Sequence, residues 1–177
     1  APVSTSVLLV TAIDEDSGSN GNVYYTLKRQ DPPGRAFEIN SQTGLITTIK
    51  SLDHETAESY QLTIVASDQG YPNWARKSSE KVVTVNIHDL NDNAPEFTSV
   101  TAVPVLINSP ANTLVTTVTA VDRDTGRNGE VTYEIYNGDT DMFRMTSTTG
   151  DLYLRSSLNT QVLTYDLTIR ARDSGPD

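Results

Sequence analysis

The sequence repeats itself, and that repeat limits the architecture before any residue is given a role. Ala12-Ile13-Asp14-Glu15-Asp16-Ser17-Gly18-Ser19-Asn20-Gly21 returns as Ala120-Val121-Asp122-Arg123-Asp124-Thr125-Gly126-Arg127-Asn128-Gly129, displaced by 108 positions. Val23 and Tyr25 return at the same displacement as Val131 and Tyr133. Thr43-Gly44 returns as Thr149-Gly150 at 106. Tyr60, Leu62, Ile64, Ala66, Asp68 and Gly70 return at 105 as Tyr165, Leu167, Ile169, Ala171, Asp173 and Gly175. A displacement that drifts by three is what loop deletions produce. The 177 residues therefore read as two copies of one module, each the length of a small domain. The expected boundaries are residues 1–88, a linker 89–95, and residues 96–177.

Each copy reads as β nearly throughout. Val23–Leu27, Tyr60–Ala66 and Val83–Ile87 alternate or are rich in β-branched and aromatic residues. Turn clusters separate them: Ser17 to Gly21, Asp31-Pro32-Pro33-Gly34, and Asp68-Gln69-Gly70-Tyr71-Pro72. No helical period stands out. Many short strands at this spacing predict an all-β, two-sheet sandwich. The apolar members of the repeat, Val7, Val10, Tyr25, Phe37, Leu62 and Ile64, are expected in the core.

Core packing does not explain why Asp14, Asp16 and Asp68 recur as Asp122, Asp124 and Asp173. The chain carries 23 acidic against 13 basic residues, a net charge of -10. That balance argues against nucleic acid or an anionic membrane as partner and suits a protein that collects cations. With no cysteine, a disulfide framework is excluded and another staple is needed. No apolar run reaches a membrane span, and no signal peptide is visible at Ala1, so targeting and anchoring segments are expected elsewhere. No Asn-x-Ser/Thr sequon occurs. The joining stretch Asp89-Leu90-Asn91-Asp92-Asn93-Ala94-Pro95 supplies four oxygen-bearing side chains in five residues, followed by a stiffening proline. Calcium takes six to eight hard oxygens from carboxylates, amides and backbone carbonyls. An Asp/Asn cluster alone is usually a turn. The matched Asp-x-Asp in both copies and Leu52-Asp53-His54-Glu55 tip the reading to metal.

Four motifs, Ala-x-Asp-x-Asp-x-Gly-x-Asn-Gly, Leu-Asp-x-Glu, Ala-x-Asp-x-Gly and Asp-x-Asn-Asp-Asn-x-Pro-x-Phe, occur here in order and cover the chain. In this the sequence resembles the extracellular repeats of cadherins. The resemblance implies tandem immunoglobulin-like Greek-key sandwiches with three calcium ions at each joint. It implies that Asp53 and Glu55 from the first repeat, Asp89 and Asp92 from the linker, the Leu90 carbonyl and Asp124 hold two ions. Around the third it places the Asn91 side chain, the Asn93 carbonyl, Asp122, Asp124, Asp173 and the Asn128 carbonyl. Glu55, Asp92 and Asp124 would each bridge two ions. Asp14, Asp16, Asn20 and Asp68 would serve a joint to a preceding repeat. The implied partners are other cadherin ectodomains, homophilic or heterophilic, on a single-pass plasma-membrane protein. The implied role is calcium-dependent cell–cell adhesion without catalysis. Whether this pair touches a partner or spaces other repeats stays open. Plain repeats without cysteine point to protocadherin-like or Fat-like long chains rather than a strand-exchanging type.

The sequence departs from the family at three places. Ile107 stands where a first-strand Glu is usual, and Asn159 and Gln161 replace the acids of Leu-Asp-x-Glu in the second copy. A flexible, calcium-poor joint after the second repeat is therefore expected. The first copy is expected to lack most of its first strand and the second its last. Other chemistry is poorly supported. His54 and His88 have no zinc-like spacing. Trp74 falls late in its module and reads as loop packing. A two-metal phosphoesterase would need a base outside the ligand set, and the sequence offers none.

Overall fold

A computed structural model describes the chain apart from residues 72–74, 100–101, 159–161, 163 and 177. Trp74, Asn159 and Gln161 lie outside the described residues. The chain forms two compact units, Ala1–His88 and Asp89–Asp177. Among the described residues there is no α-helix.

In unit 1 the strands are β1 (Ser6–Leu9), β2 (Tyr24–Asp31), β3 (Phe37–Ile39), β4 (Leu45–Thr48), β5 (Ser59–Ser67) and β6 (Ser78–Asn86). They pair antiparallel in two sheets, β1-β4-β3 and β2-β5-β6. Burial on β5 follows the two-residue period of a strand: Tyr60, Leu62 and Ile64 are buried, Gln61 is exposed and Thr63 half-buried. These side chains meet Phe37, Ile46 and Tyr25 in one core. Phe37 and Tyr60 pack edge to face with centroids 5.1 Å apart. Val7 and Val10, expected in the core, are only partly buried against it. Strand β6 starts at Ser78, ahead of the Val83–Ile87 run. Its polar first turn is held by partners on β5, Ser67↔Ser78 through Ile64↔Lys81. Pairing there overrides weak strand propensity.

Unit 2 contains β7 (Glu96–Phe97), β8 (Leu114–Thr117), β9 (Ala120–Val121), β10 (Thr132–Asn137), β11 (Phe143–Met145), β12 (Asp151–Leu154) and β13 (Thr168–Arg172). Its sheets are β11-β12-β8, β10-β13 and the short pair β7-β9. Phe143, Leu152 and Leu154 form the buried centre, with Val105, Val115, Ile135, Tyr165 and Leu167 packed against it. Phe143 meets Tyr165 edge to face at 5.3 Å, as Phe37 meets Tyr60.

The repeat extends to single hydrogen bonds. The Ala12 N–H donates to the Tyr25 hydroxyl at 2.8 Å, and the Ala120 N–H donates to the Tyr133 hydroxyl at 2.9 Å. Val10 N–H reaches Gly44 O at 3.0 Å, and Val118 N–H reaches Gly150 O at 2.9 Å. These contacts explain the repeated glycine. Gly44 and Gly150 have φ of +74° and +72°, and a Cβ on either would lie 2.1 or 2.0 Å from the Val10 or Val118 carbonyl oxygen.

Leu62 is fully buried and Val82 is 54% exposed. Truncating Leu62 removes core contacts and leaves a cavity. In chemical denaturation Leu62→Ala is expected to destabilise unit 1 by about 2–5 kcal/mol. Val82→Ala is expected to stay within about 0.5 kcal/mol of the parent. Equal effects would contradict the assignment of the core.

Candidate metal centre

The clustered acids and amides of unit 2 come from three parts of its chain: the entry segment Asp89 to Asn93, the turn after β9, and the exit of β13. The turn is an Asx-type turn in which the Asp124 N–H donates to Asp122 Oδ1 at 2.9 Å. It continues tightly, because a Cβ on Gly129 would sit 2.1 Å from the Asp124 carbonyl oxygen. Asp173 follows β13 and accepts the Gly175 N–H at 3.0 Å.

The entry segment is bound to both. Asn93 donates its backbone N–H to Asp124 Oδ2 at 3.2 Å, and its Nδ2 to Asp124 Oδ1 at 2.6 Å and to Asp92 Oδ1 at 3.0 Å. Asp89 Oδ2 accepts the Thr125 N–H at 3.1 Å and Asn128 Nδ2 at 3.0 Å. Asn91 Nδ2 donates to Asp173 Oδ1 at 3.1 Å. Within unit 2 the structure thus brings together Asp89, Asn91, Asp92, Asn93, Asp122, Asp124, Asn128 and Asp173. Asn93 and Asn128, expected to act through their carbonyls, also use their side chains to clamp carboxylates. The Leu90 carbonyl accepts the Asp92 N–H at 2.9 Å and shapes the segment. Sequence reading missed the part played by Gly175. A Cβ there would lie 2.6 Å from Asn128 Oδ1 and 2.8 Å from Asn91 Cγ, so only glycine leaves room for both amides.

Among the described residues, Asn91 Oδ1 and Asp122 Oδ2 in this cluster are buried without a hydrogen-bond donor. A buried acceptor left bare is costly, and it calls for a proton donor or a cation. Asp124 is only 7% exposed. Among the described residues Asp122, Asp124 and Asp173 pair with no lysine or arginine; the arginine and lysine ion pairs go to Glu80, Asp31 and Glu134. The donor set of carboxylate, amide and carbonyl oxygen is that of a hard cation such as calcium, and it lacks the sulfur or imidazole that zinc prefers.

Unit 1 repeats part of this arrangement. The Asp16 N–H donates to Asp14 Oδ1 at 2.9 Å. Asp68, 5% exposed, accepts the N–H groups of Gly70 at 2.9 Å and Lys77 at 3.0 Å. These two backbone donors hold its carboxyl below the ordinary aspartate range. Asn20 lies in the 3-10 turn Gly18–Gly21. Asp53 accepts the Glu55 N–H at 3.1 Å and the Thr56 hydroxyl at 2.7 Å. Its pairing with the Glu55 side chain, and then with Thr56, lowers its pKa. His54 Nδ1 stands 3.7 Å from Glu55 Oε1. Asp151 shows the contrasting case of a satisfied surface carboxylate. Its pKa is lowered by the Thr117 hydroxyl at 2.6 Å and then by the Thr149 hydroxyl at 2.7 Å.

The cadherin domain family matches residues 1–88 and 102–177. Protocadherin Fat 4 of Homo sapiens is 42% identical over 176 residues, which is 99% of this chain and 4% of that protein. Protocadherin-16 of Rattus norvegicus is 37% identical over 182 residues, covering 98% and 5%. The chain thus spans a small fraction of these relatives. The crystal structure of the protocadherin GammaB4 extracellular domain aligns at TM-score 0.89 with 30% identity, over 99% of this chain and 30% of that one. A mouse cadherin-23 structure, EC22-24, aligns at 0.87 with 31% identity, over 100% and 55%. With two copies of one β module, a shared pattern of acids and these relatives, the chain belongs to the cadherin family, as a pair of repeats of the protocadherin and Fat-like kind.

Proposed function

We propose that this pair of repeats is a calcium-stiffened segment of an extracellular adhesion protein, and that it has no catalytic role. The observation that carries the proposal is that, among the described residues, Asn91 Oδ1 and Asp122 Oδ2 are buried and donor-less amid the clustered carboxylates of unit 2. Calcium bound there would satisfy them and neutralise Asp89, Asp92, Asp124 and Asp173. The family pattern assigns Asp53 and Glu55 as further ligands, with the carbonyls of Leu90, Asn93 and Asn128. It assigns Asp14, Asp16, Asn20 and Asp68 to a joint with a preceding repeat. The same pattern supports cell–cell adhesion through other cadherin ectodomains, on a single-pass protein of the plasma membrane. Ile107 is 54% exposed where the family places a Glu, which supports a calcium-poor, flexible joint beyond the second repeat.

Calcium should raise the melting temperature saturably, because it binds the folded chain and not the unfolded one. Extracellular sites of this type have dissociation constants of about 10⁻⁴ to 10⁻³ M. Differential scanning calorimetry in chelator and in rising calcium checks this, and an unmoved transition would contradict it. Asp122→Asn keeps the shape and removes the charge beside the bare oxygen. It should weaken calcium binding by about tenfold or more, the scale of one charged contact. Asp151→Asn, whose oxygens hydroxyls already satisfy, should leave affinity unchanged in titration calorimetry. Asp92→Ala should reduce affinity more than Asp14→Ala, and equal losses would show that the ligands are wrongly assigned.

A further inference from the structure

We propose that Asn137-Gly138 in unit 2 is a site of spontaneous modification, at which Asn137 converts to aspartate and isoaspartate through a cyclic imide. Three Asn-Gly pairs occur: Asn20-Gly21, Asn128-Gly129 and Asn137-Gly138. Sequence alone makes them equivalent, since glycine leaves the attacking nitrogen unhindered in each. The fold separates them.

Asn128 is held at both ends of its amide. Its Nδ2 donates to Asp89 Oδ2 at 3.0 Å, and its Oδ1 lies against Gly175, close enough that a Cβ there would be 2.6 Å away. Asn20 sits inside the hydrogen-bonded 3-10 turn Gly18–Gly21. Asn137 is the exposed last residue of β10, opposite Thr168, just past a register irregularity after Ile135. Among the described residues its side-chain amide has no hydrogen-bond partner. Gly138 follows with φ of +120° as the chain leaves the sheet.

The reaction needs only water. The Gly138 amide nitrogen attacks the Asn137 side-chain carbonyl carbon. The bond from that carbon to the side-chain nitrogen breaks, and ammonia leaves with the proton given up by the Gly138 N–H. Water then opens the ring at one carbonyl, giving aspartate, or at the other, giving isoaspartate. Either product places a new carboxylate in the stretch that holds Asp139 and Asp141. Isoaspartate also adds a methylene to the backbone where Gly138 already packs tightly, since a Cβ there would be 2.7 Å from the Asp166 carbonyl oxygen. Both changes should loosen the end of the β10-β13 pair.

The folded chain, held in calcium at mildly alkaline pH, can be sampled over time, digested and mapped by mass spectrometry. Isoaspartate is read by enzymatic methylation. Conversion at Asn137 should exceed that at Asn128 by about tenfold or more, because Asn128 must first give up a hydrogen bond to a charged carboxylate. In denaturant the two rates should converge, and Asn137→Ser should abolish the product in that peptide. Equal rates in the folded chain would overturn the proposal. So would an unmodified Asn137 over a period in which the denatured chain converts.

Discussion

Among the described residues Asp122, Asp124 and Asp173 gather with no lysine or arginine paired to them, and that sets the physics of unit 2. Carboxylates about 4 Å apart repel by roughly 4 kcal/mol at an effective dielectric near 20, a large share of what holds a small domain folded. The chain nonetheless gathers Asp89, Asp92, Asp122, Asp124 and Asp173 in one unit. It restrains them with amide donors: Asn91 on Asp173, Asn93 on Asp124, Asn128 on Asp89. Those bonds are partial substitutes for charge. Each asparagine carries only one amide group, and placing the Asn91 nitrogen on Asp173 leaves its oxygen buried and bare. Asp122 is in the same position, with one oxygen capped by a backbone N–H and the other bare. A divalent cation would answer both needs at once.

The rest of the module keeps these groups in place. The tyrosine hydroxyl that receives the Ala12 or Ala120 N–H fixes the segment leading into each Asp-x-Asp turn. The glycines at 44 and 150 let a neighbouring carbonyl approach where no other residue would fit. Edge-to-face ring pairs anchor the chain ahead of these acids: Tyr60 lies on β5, which Asp68 follows, and Tyr165 shortly precedes β13, which Asp173 follows. The apolar core thus positions the acids, which take no part in packing.

Much of this was legible in the sequence because the module occurs twice. Repetition separates residues kept for packing from acids kept for another reason, and the two-residue period of Tyr60, Leu62 and Ile64 showed directly which face is buried. Other features were not legible. That Asn93 and Asn128 use side-chain nitrogens depends on where the Asp89 and Asp124 carboxylates lie in space. The crowding at Gly175 arises only once Asn91 and Asn128, distant in sequence, converge on it. The polar start of β6 was missed because its strand character comes from its neighbour β5. The apolar pattern of Val7 and Val10 points to the core, and it does not show that they stop at its edge, packed against it but only partly buried.

We propose that the bare oxygens of unit 2 are calcium ligands. A calcium titration followed by nuclear magnetic resonance tests it most directly, by reading the Asn91 side-chain amide together with the backbone amides of Asp124 and Gly175. These groups adjoin the two oxygens, through the Asp122 turn and the Asp173 carboxylate. Large, saturable shifts are expected at all three, while the amides of Thr117 and Asp151 stay still. Shifts spread evenly over the acidic surface, or none at Asn91, would contradict it.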